Sequence, residues 1–288
     1  MKLLLLGSAG QLGQAFVHQP QWSSWQSLAL NRGQLNLCDA LAVSQILSHY
    51  RPDIVINCAA YTAVDRAEQQ AAACMAMNAQ AVQHLAQQCQ YQDALLVHFS
   101  TDYVFDGTKG SPYQETDATA ALNVYGHSKL LGEQAIQGYC QKHLIFRTSW
   151  LFSEFGHNFY STMLTLAQQG KPIRVVNDQL GCPTYAGDIA ATVLQLLQRY
   201  QSGQQLPYGL YHLAGSPAVS WYQFASAIFA SHNIASAITP VSCNDWKHAA
   251  RRPLNSALDS HRSQQVLGAA VLNWQAALDK LAAQQDAL

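Results

Sequence analysis

The run Leu3-Leu4-Leu5-Leu6 passes directly into Gly7-Ser8-Ala9-Gly10-Gln11-Leu12-Gly13, and no other stretch restricts the fold as much. A short apolar run closed by glycine suits a strand buried on both faces, as in a parallel sheet. The residues after the third glycine are compatible with a helix. Glycines at this spacing allow a tight turn, close approach of the backbone to a diphosphate, and close helix–strand packing. The amides at the helix start then attract the phosphate charge. The alternative is a Gly-rich turn with no ligand. The strand before and the helix after it favour a dinucleotide site built from Gly7, Gly10, Gln11, Leu12 and Gly13.

A second strand over residues 27–30 runs into Asn31-Arg32-Gly33. Nucleotide-binding sheets often carry an acid at this strand end for a ribose 2′-hydroxyl, whereas arginine accommodates a 2′-phosphate. With no acid here and Arg32 following at once, NADP(H) is expected ahead of NAD(H); the bland alternative is a solvated loop arginine. Residues 39–50 read as a helix with Asp39 at its N-cap. Residues 54–60 form a buried strand ending in small residues, which leave room for a ligand beyond the strand. A long Ala/Gln-rich helix is expected from about Tyr61 to Gln90, with Asn78 on its surface. The strand over residues 95–100 delivers Thr101 and Asp102 to its tip. His98, inside that strand, is expected to be a packed residue.

Tyr125 and Lys129 stand four residues apart, so on a helix their side chains share one face. A phenol beside an ammonium ionises more easily, which suits proton donation to a carbonyl under reduction. The pair alone says little, since tyrosine and lysine fall at this spacing by chance. A further strand, residues 144–150, again ends in polar residues and a tryptophan. The order is a doubly wound parallel sheet, with chemistry recurring at successive strand ends. That agreement across separate segments points to an enzyme.

The second half is less regular. Helices are expected over residues 158–169, 186–200 and 221–231, with short strands between them. Residues 1–150 form the expected dinucleotide-binding part. Residues 151–288 form a mainly substrate-binding lobe interleaved with the end of the sheet. Arg251-Arg252 is either a diphosphate clamp or an ordinary solvated pair.

Composition removes several classes. With 49% hydrophobic residues, 11% charged residues and a net charge of −1, disorder and a nucleic-acid or anionic-membrane surface are not indicated. Seven scattered cysteines without a CxxC pair read as reduced thiols, and no run is long enough to span a bilayer, so a cytoplasmic location is expected.

The residues resemble the extended short-chain dehydrogenase/reductases, and within them the reductases of nucleotide-linked 4-keto sugars. The motifs are the glycine loop, Asn57-Cys58-Ala59-Ala60-Tyr61-Thr62-Ala63-Val64-Asp65, Ser100-Thr101-Asp102-Tyr103-Val104-Phe105-Asp106-Gly107, Asn123-Val124-Tyr125-Gly126-x-x-Lys129, Phe146-Arg147-Thr148-Ser149-Trp150 and Ala250-Arg251-Arg252-Pro253. They cover nearly the whole chain. The resemblance implies a Rossmann-type sheet and NADPH-dependent reduction of the C4 ketone of dTDP-4-dehydro-L-rhamnose, with NADH as the alternative cofactor. Tyr125 would protonate the developing alkoxide. Lys129 would hold the nicotinamide ribose and lower the Tyr125 pKa, and Thr101 would hydrogen-bond the reacting oxygen. Asn31, Arg32, Ala60, Tyr61, Thr62 and Ser100 would join the glycine loop, Tyr125 and Lys129 on the cofactor. The dTDP-sugar would meet Thr101, Asp102, Tyr103, Tyr125, Trp150 and Arg251.

Two departures limit the carry-over. Asn31-Arg32 replaces an acid many members carry. Gln14 and Ala15 stand where some members place a glutamate for a magnesium-linked dimer, so no metal is expected and a homodimer stays open. The rivals are a neighbouring sugar reductase or epimerase, and a non-catalytic nucleotide-binding subunit resembling the regulatory subunit of methionine adenosyltransferase. Retention of Tyr125, Lys129 and the glycine loop counts against the last.

Overall fold

The structure, a computed structural model, describes residues 1–170, 172–235, 237–245 and 249–285. Six strands form one sheet: β1 (Lys2–Leu6), β2 (Gln26–Leu30), β3 (Ile54–Asn57), β4 (Leu95–Thr101), β5 (His143–Thr148) and β6 (Gly209–His212). Their order is β6-β5-β4-β3-β1-β2, and every pairing is parallel. The chain turns outward from β1 to β2, then returns past β1 to β3. That reversal opens a crevice at the carboxyl ends of β1 and β3, where such sheets bind ligands.

The principal helices are α1 (Gln11–Val17), α2 (Ala40–Tyr50), α3 (Ala81–Tyr91), α4 (Val124–Tyr139), α5 (Phe159–Gln168), α6 (Ala186–Gln201), α7 (Trp221–Ser231) and α8 (Trp274–Gln285). The leucine run explains why the sheet is covered on both faces. Leu3 and Leu5 pack with Phe16 of α1 and with Ile189 and Val193 of α6. Leu4 and Leu6 face Val43 and Leu47 of α2, Val82 and Leu85 of α3, and Ile136 of α4. All four leucines are at most 3% exposed, and each contributes about 1.5–3 kcal/mol by burial. Asp39 caps α2 as expected, its carboxylate accepting from the Ala42 amide at 3.0 Å.

The helix expected from Tyr61 to Gln90 is broken instead. Short helices at Val64–Ala67 and Ala71–Met75 pass through a π-turn, Ala76–Gln80, into α3. The cause is Asn78, which is 1% exposed rather than on the surface. Its amide oxygen accepts from the Tyr61 amide, and its nitrogen donates to the Tyr61 carbonyl and to Ser128 Oγ. A Cβ at Gly132 of α4 would overlap the Asn78 carbonyl, so the two helices meet backbone to backbone here.

Beyond residue 150 the chain does two things. It supplies β6 and α6 to the sheet layer, and it builds a second apolar cluster from Phe152, Tyr160, Phe224, Trp274 and their neighbours. A parallel pair, Ile173–Val176 with Ile238–Val241, lies at this second cluster. No helix among the described residues is long and apolar enough to cross a membrane.

Candidate active site

The glycine loop lies in the crevice between β1 and β3. Gly7 has φ +80°, and a Cβ there would sit 2.6 Å from the Ala59 amide nitrogen; a Cβ at Gly13 would overlap the Gly7 carbonyl. Those two glycines are required by the fold. Gly10 is different: an added Cβ would meet no protein atom closer than 3.5 Å. It lines both cavities of the crevice, so its bareness serves whatever fills them. The first-turn amides of α1 have no side-chain cap and stay available to an anion.

One cavity of about 550 Å³ runs from Gly10 past Ala60 and Tyr61 to Arg32 and Asn36 at the end of β2. Asn31 does not face it. Its side chain accepts from the Gly33 and Gln34 amides at 2.9 and 3.2 Å, holding the turn that presents Arg32. The exposed Arg32 makes no ion pair to a described residue.

The other cavity, about 400 Å³, joins Gly10, Gln11, Leu12, Ala60 and Thr62 to the tips of β4 and β5. Thr101 lies opposite Thr148 across those strands. The Thr101 hydroxyl donates to Asp102 Oδ1 at 3.1 Å and accepts from the Tyr103 amide at 3.2 Å. Ser149 Oγ donates to the other Asp102 oxygen at 3.1 Å. Burial pushes the Asp102 carboxyl up to about 6, opposed by hydrogen bonds from Ser256, Thr101 and Ser149. Two buried hydroxyls in the same cavity, Ser100 Oγ and Thr148 Oγ1, have no hydrogen-bond partner. A buried hydroxyl without a partner calls for an explanation, and in a cavity a bound ligand or water can complete its bonding.

Helix α4 brings Tyr125 and Lys129 to this cavity. Asn123 caps it, accepting from the Gly126 amide at 2.8 Å, while its own amide donates to the Arg251 carbonyl at 2.8 Å. One asparagine therefore starts the helix that carries Tyr125 and Lys129 and anchors the C-terminal segment. Glu133, one turn past Lys129, is bonded to Arg147 of β5 through two contacts of 2.9 and 2.7 Å, with both side chains buried. The Tyr125 phenol shares a hydrogen bond with Thr101 and stands edge-on to Tyr103 at 6.1 Å.

The expected lowering of the Tyr125 pKa by Lys129 is not what governs it in this arrangement. Burial pushes the phenol up, and the Thr101 hydrogen bond is the opposing effect. Lys129, itself 2% exposed, turns its amine to the Phe99 carbonyl and His98 Nε2.

Trp150 lines the same cavity at the tip of β5 with φ +46°, a backbone region costly for a bulky residue. Its ring stacks on Trp221 at 3.4 Å and 6°, and a Cβ at Gly181 would strike the indole. Trp221 in turn lines an apolar cavity of about 300 Å³ with Phe159, Met163, Val175, Gln179 and Arg252. Of the two arginines it is Arg252 that lines this cavity, and it pairs with Asp65 at 2.9 Å. Arg251 is exposed and lines none of these cavities.

Thus Gly10, Gln11, Leu12, Ala60, Thr62, Ser100, Thr101, Asp102, Tyr125, Lys129 and Trp150 share one cavity, and Gly7, Arg32 and Tyr61 the adjoining one. Gly13 supports the loop from beneath and Tyr103 packs behind Tyr125. Sequence reasoning missed Thr148 and Ser149 as site residues, although both stand in a polar strand tip. It did not single out Asn57 and His98 as site residues, whose partners lie far away in the chain, and of the arginine pair it favoured Arg251, whereas Arg252 lines a cavity.

The model of the RmlD substrate binding domain matches residues 1–286. A dTDP-4-dehydrorhamnose reductase of Aggregatibacter actinomycetemcomitans is 39% identical, with 98% of each chain covered. The crystal structure of a dTDP-4-dehydrorhamnose reductase from Clostridium acetobutylicum superposes with TM-score 0.93 at 32% identity, covering 99% of this chain and 100% of that one. That of the Bacillus anthracis reductase, in complex with NADP, gives 0.91 at 33% identity and 97% coverage of each. With the match running through both the glycine loop and the C-terminal cluster, the chain belongs to the RmlD substrate binding domain family.

Proposed function

We propose that the protein reduces the C4 ketone of dTDP-4-dehydro-L-rhamnose to give dTDP-L-rhamnose, using NADPH, in the cytoplasm. The observation that carries this reading is the single cavity in which the glycine loop meets Thr101, Tyr125 and Lys129. The reductase relatives and the NADP complex of one of them support it.

The residues present fit the cofactor. Gly10 leaves a bare surface for a diphosphate, the unpartnered hydroxyls of Ser100 and Thr148 line the inner cavity, and Arg32 stands at the far end of the outer one. Bound there, NADPH supplies the hydride. Tyr125 donates to the ketone oxygen, Thr101 joins it by turning its proton from Asp102 to that oxygen, and Tyr125 gives its proton to the alkoxide as charge develops. A phenol held protonated by burial suits that acid role. Lys129, as the ammonium, holds the ribose and offsets the phenolate left behind. Asp102 accepts from sugar hydroxyls. Trp150 and Arg252 border the path from the ketone to the aromatic cavity, which suits a nucleobase, and Arg252 lies where a diphosphate would pass.

The test is NADPH consumption by purified protein given enzymatically generated dTDP-4-dehydro-L-rhamnose, with NADH alongside. Rapid oxidation with dTDP-L-rhamnose as product supports the reading. NADPH binding without oxidation moves it to another keto sugar or to the non-catalytic class.

A further inference from the structure

The Lys129 amine sits in a hydrogen-bonded chain whose donors and acceptors can be followed atom by atom. The chain begins at a backbone group, which cannot change role. The Ala59 amide donates to Asn57 Oδ1 at 3.0 Å, and this fixes the Asn57 side chain with its NH2 turned the other way. That NH2 meets His98 Nδ1 at 3.1 Å. An NH2 only donates, so Nδ1 must accept, and the proton of a neutral imidazole is then on Nε2. Nε2 faces Lys129 Nζ at 3.2 Å. An N–H at that position can donate only to a neutral amine, which has a lone pair; toward an ammonium it is a second donor with nothing to accept.

We propose that His98 is a positioning residue for Lys129: Asn57 keeps its imidazole in the Nε2–H form, so that it receives the neutral amine and turns the ammonium out toward the cavity. The alternative tautomer would face the Asn57 NH2 with an N–H. Turning the Asn57 amide to relieve that would leave the Ala59 amide facing a donor, at a cost of about 1–3 kcal/mol for a buried group. An imidazolium meets the same obstacle at Nδ1.

The surroundings agree. His98 is 0% exposed, and burial and the neighbouring Lys129 hold its pKa well below the ordinary imidazole value. Burial brings Lys129 down to about 8, opposed by Glu133 on its own helix and by Cys58 and Cys74 on the packed segments. Glu133 is bonded to Arg147, and both thiols are pushed up by burial. None of these is a free carboxylate that would hold the ammonium where the amine now sits, and the Phe99 carbonyl accepts from either form, so it does not decide between them. In this scheme the proton that charges Lys129 also moves it, so the residue that offsets the phenolate is supplied to the cavity in its charged form.

The tautomer follows from the fold alone, while its consequence for NADPH rests on the proposed function, and the two are tested separately. Long-range ¹H–¹⁵N correlation of the imidazoles in the uniformly labelled wild-type protein, with His98 assigned through its backbone, reads the tautomer directly without cofactor or substrate. A protonated Nε2 with a bare Nδ1 is expected; an Nδ1–H form or an imidazolium overturns the proposal.

The second measurement is NADPH affinity of wild type and His98→Phe, below and above the Lys129 value of about 8. Loss of the N–H destabilises only the neutral amine. At the higher pH the variant should therefore bind NADPH about three- to tenfold tighter than wild type, with little difference at the lower pH. A change of equal size at both pH values, weaker binding, or no change overturns the positioning role. If the variant fails to fold, the tautomer measurement on wild type decides.

Discussion

Two cavities on either side of the Trp150–Trp221 stack are built from opposite materials. On the sheet side the groups are polar and buried: Thr101 is 6% exposed, Asp102 3% and Lys129 2%, with Thr101 bonded to Asp102 and Tyr103, Asp102 to Ser149, and Lys129 to His98 and Phe99. On the lobe side the walls are Phe159, Met163, Val175 and Trp221, with Arg252 at the edge. Proton transfer needs groups whose ionisation is set by burial and fixed hydrogen bonds. Holding a flat, mostly apolar moiety needs complementary apolar surface and few polar groups. The first cavity therefore suits chemistry and the second recognition, and their variants should differ in what they damage.

The largest effect is expected at Tyr125. Tyr125→Phe should lower kcat by about 10²–10⁴-fold while NADPH affinity, read by titration calorimetry, stays within about twofold of wild type. A loss of binding as great as the loss of rate would remove Tyr125 from the proton-transfer role. Next comes Arg32→Ala, which should weaken NADPH about 10- to 100-fold, the size of a charge-assisted contact, and leave NADH nearly untouched. Equal weakening of both would make Arg32 part of the turn only.

The lobe side is sharpened by a pair of variants. Arg252→Ala should raise KM for the sugar nucleotide about tenfold with a smaller change in kcat, whereas Arg251→Ala should change KM by less than about threefold. The reverse order would mean that Arg251 moves in on substrate, as the family resemblance implies.

How much of this was legible follows from how far apart the interacting residues lie. The glycine loop and the strand tips could be read because strand, turn and helix are local patterns, and the Tyr125–Lys129 spacing is a property of one helix. Asn78 could not be placed, since its burial depends on Ser128 and the backbone at Gly132. Its neighbours in sequence made it look like surface. Arg252 and Asp65 are 187 residues apart, and nothing in either neighbourhood announces the pair. His98 was read as packed, which it is, but its tautomer depends on Asn57 from another strand.

A separate effect concerns stability rather than turnover. The Asp102 pKa rises from 3.8 to about 6 on folding, so the folded state binds more protons between those values. Its contribution is fully present below the unfolded value and is lost as pH rises through about 6. Asp102→Asn removes that loss, which corresponds to about 3 kcal/mol at neutral pH. Relative to wild type, the variant should therefore gain stability in denaturant melts between acid and neutral pH. A wild-type–variant difference independent of pH would mean that Asp102 is not held protonated by burial.

The most direct test of the account follows the hydride itself. Protein supplied with NADPH deuterated at the transferred position of nicotinamide C4 and with dTDP-4-dehydro-L-rhamnose should yield dTDP-L-rhamnose carrying deuterium at sugar C4, located by NMR of the product. Sugar turned over without deuterium, or with deuterium at another carbon, would contradict the assignment of this cavity to ketone reduction at C4.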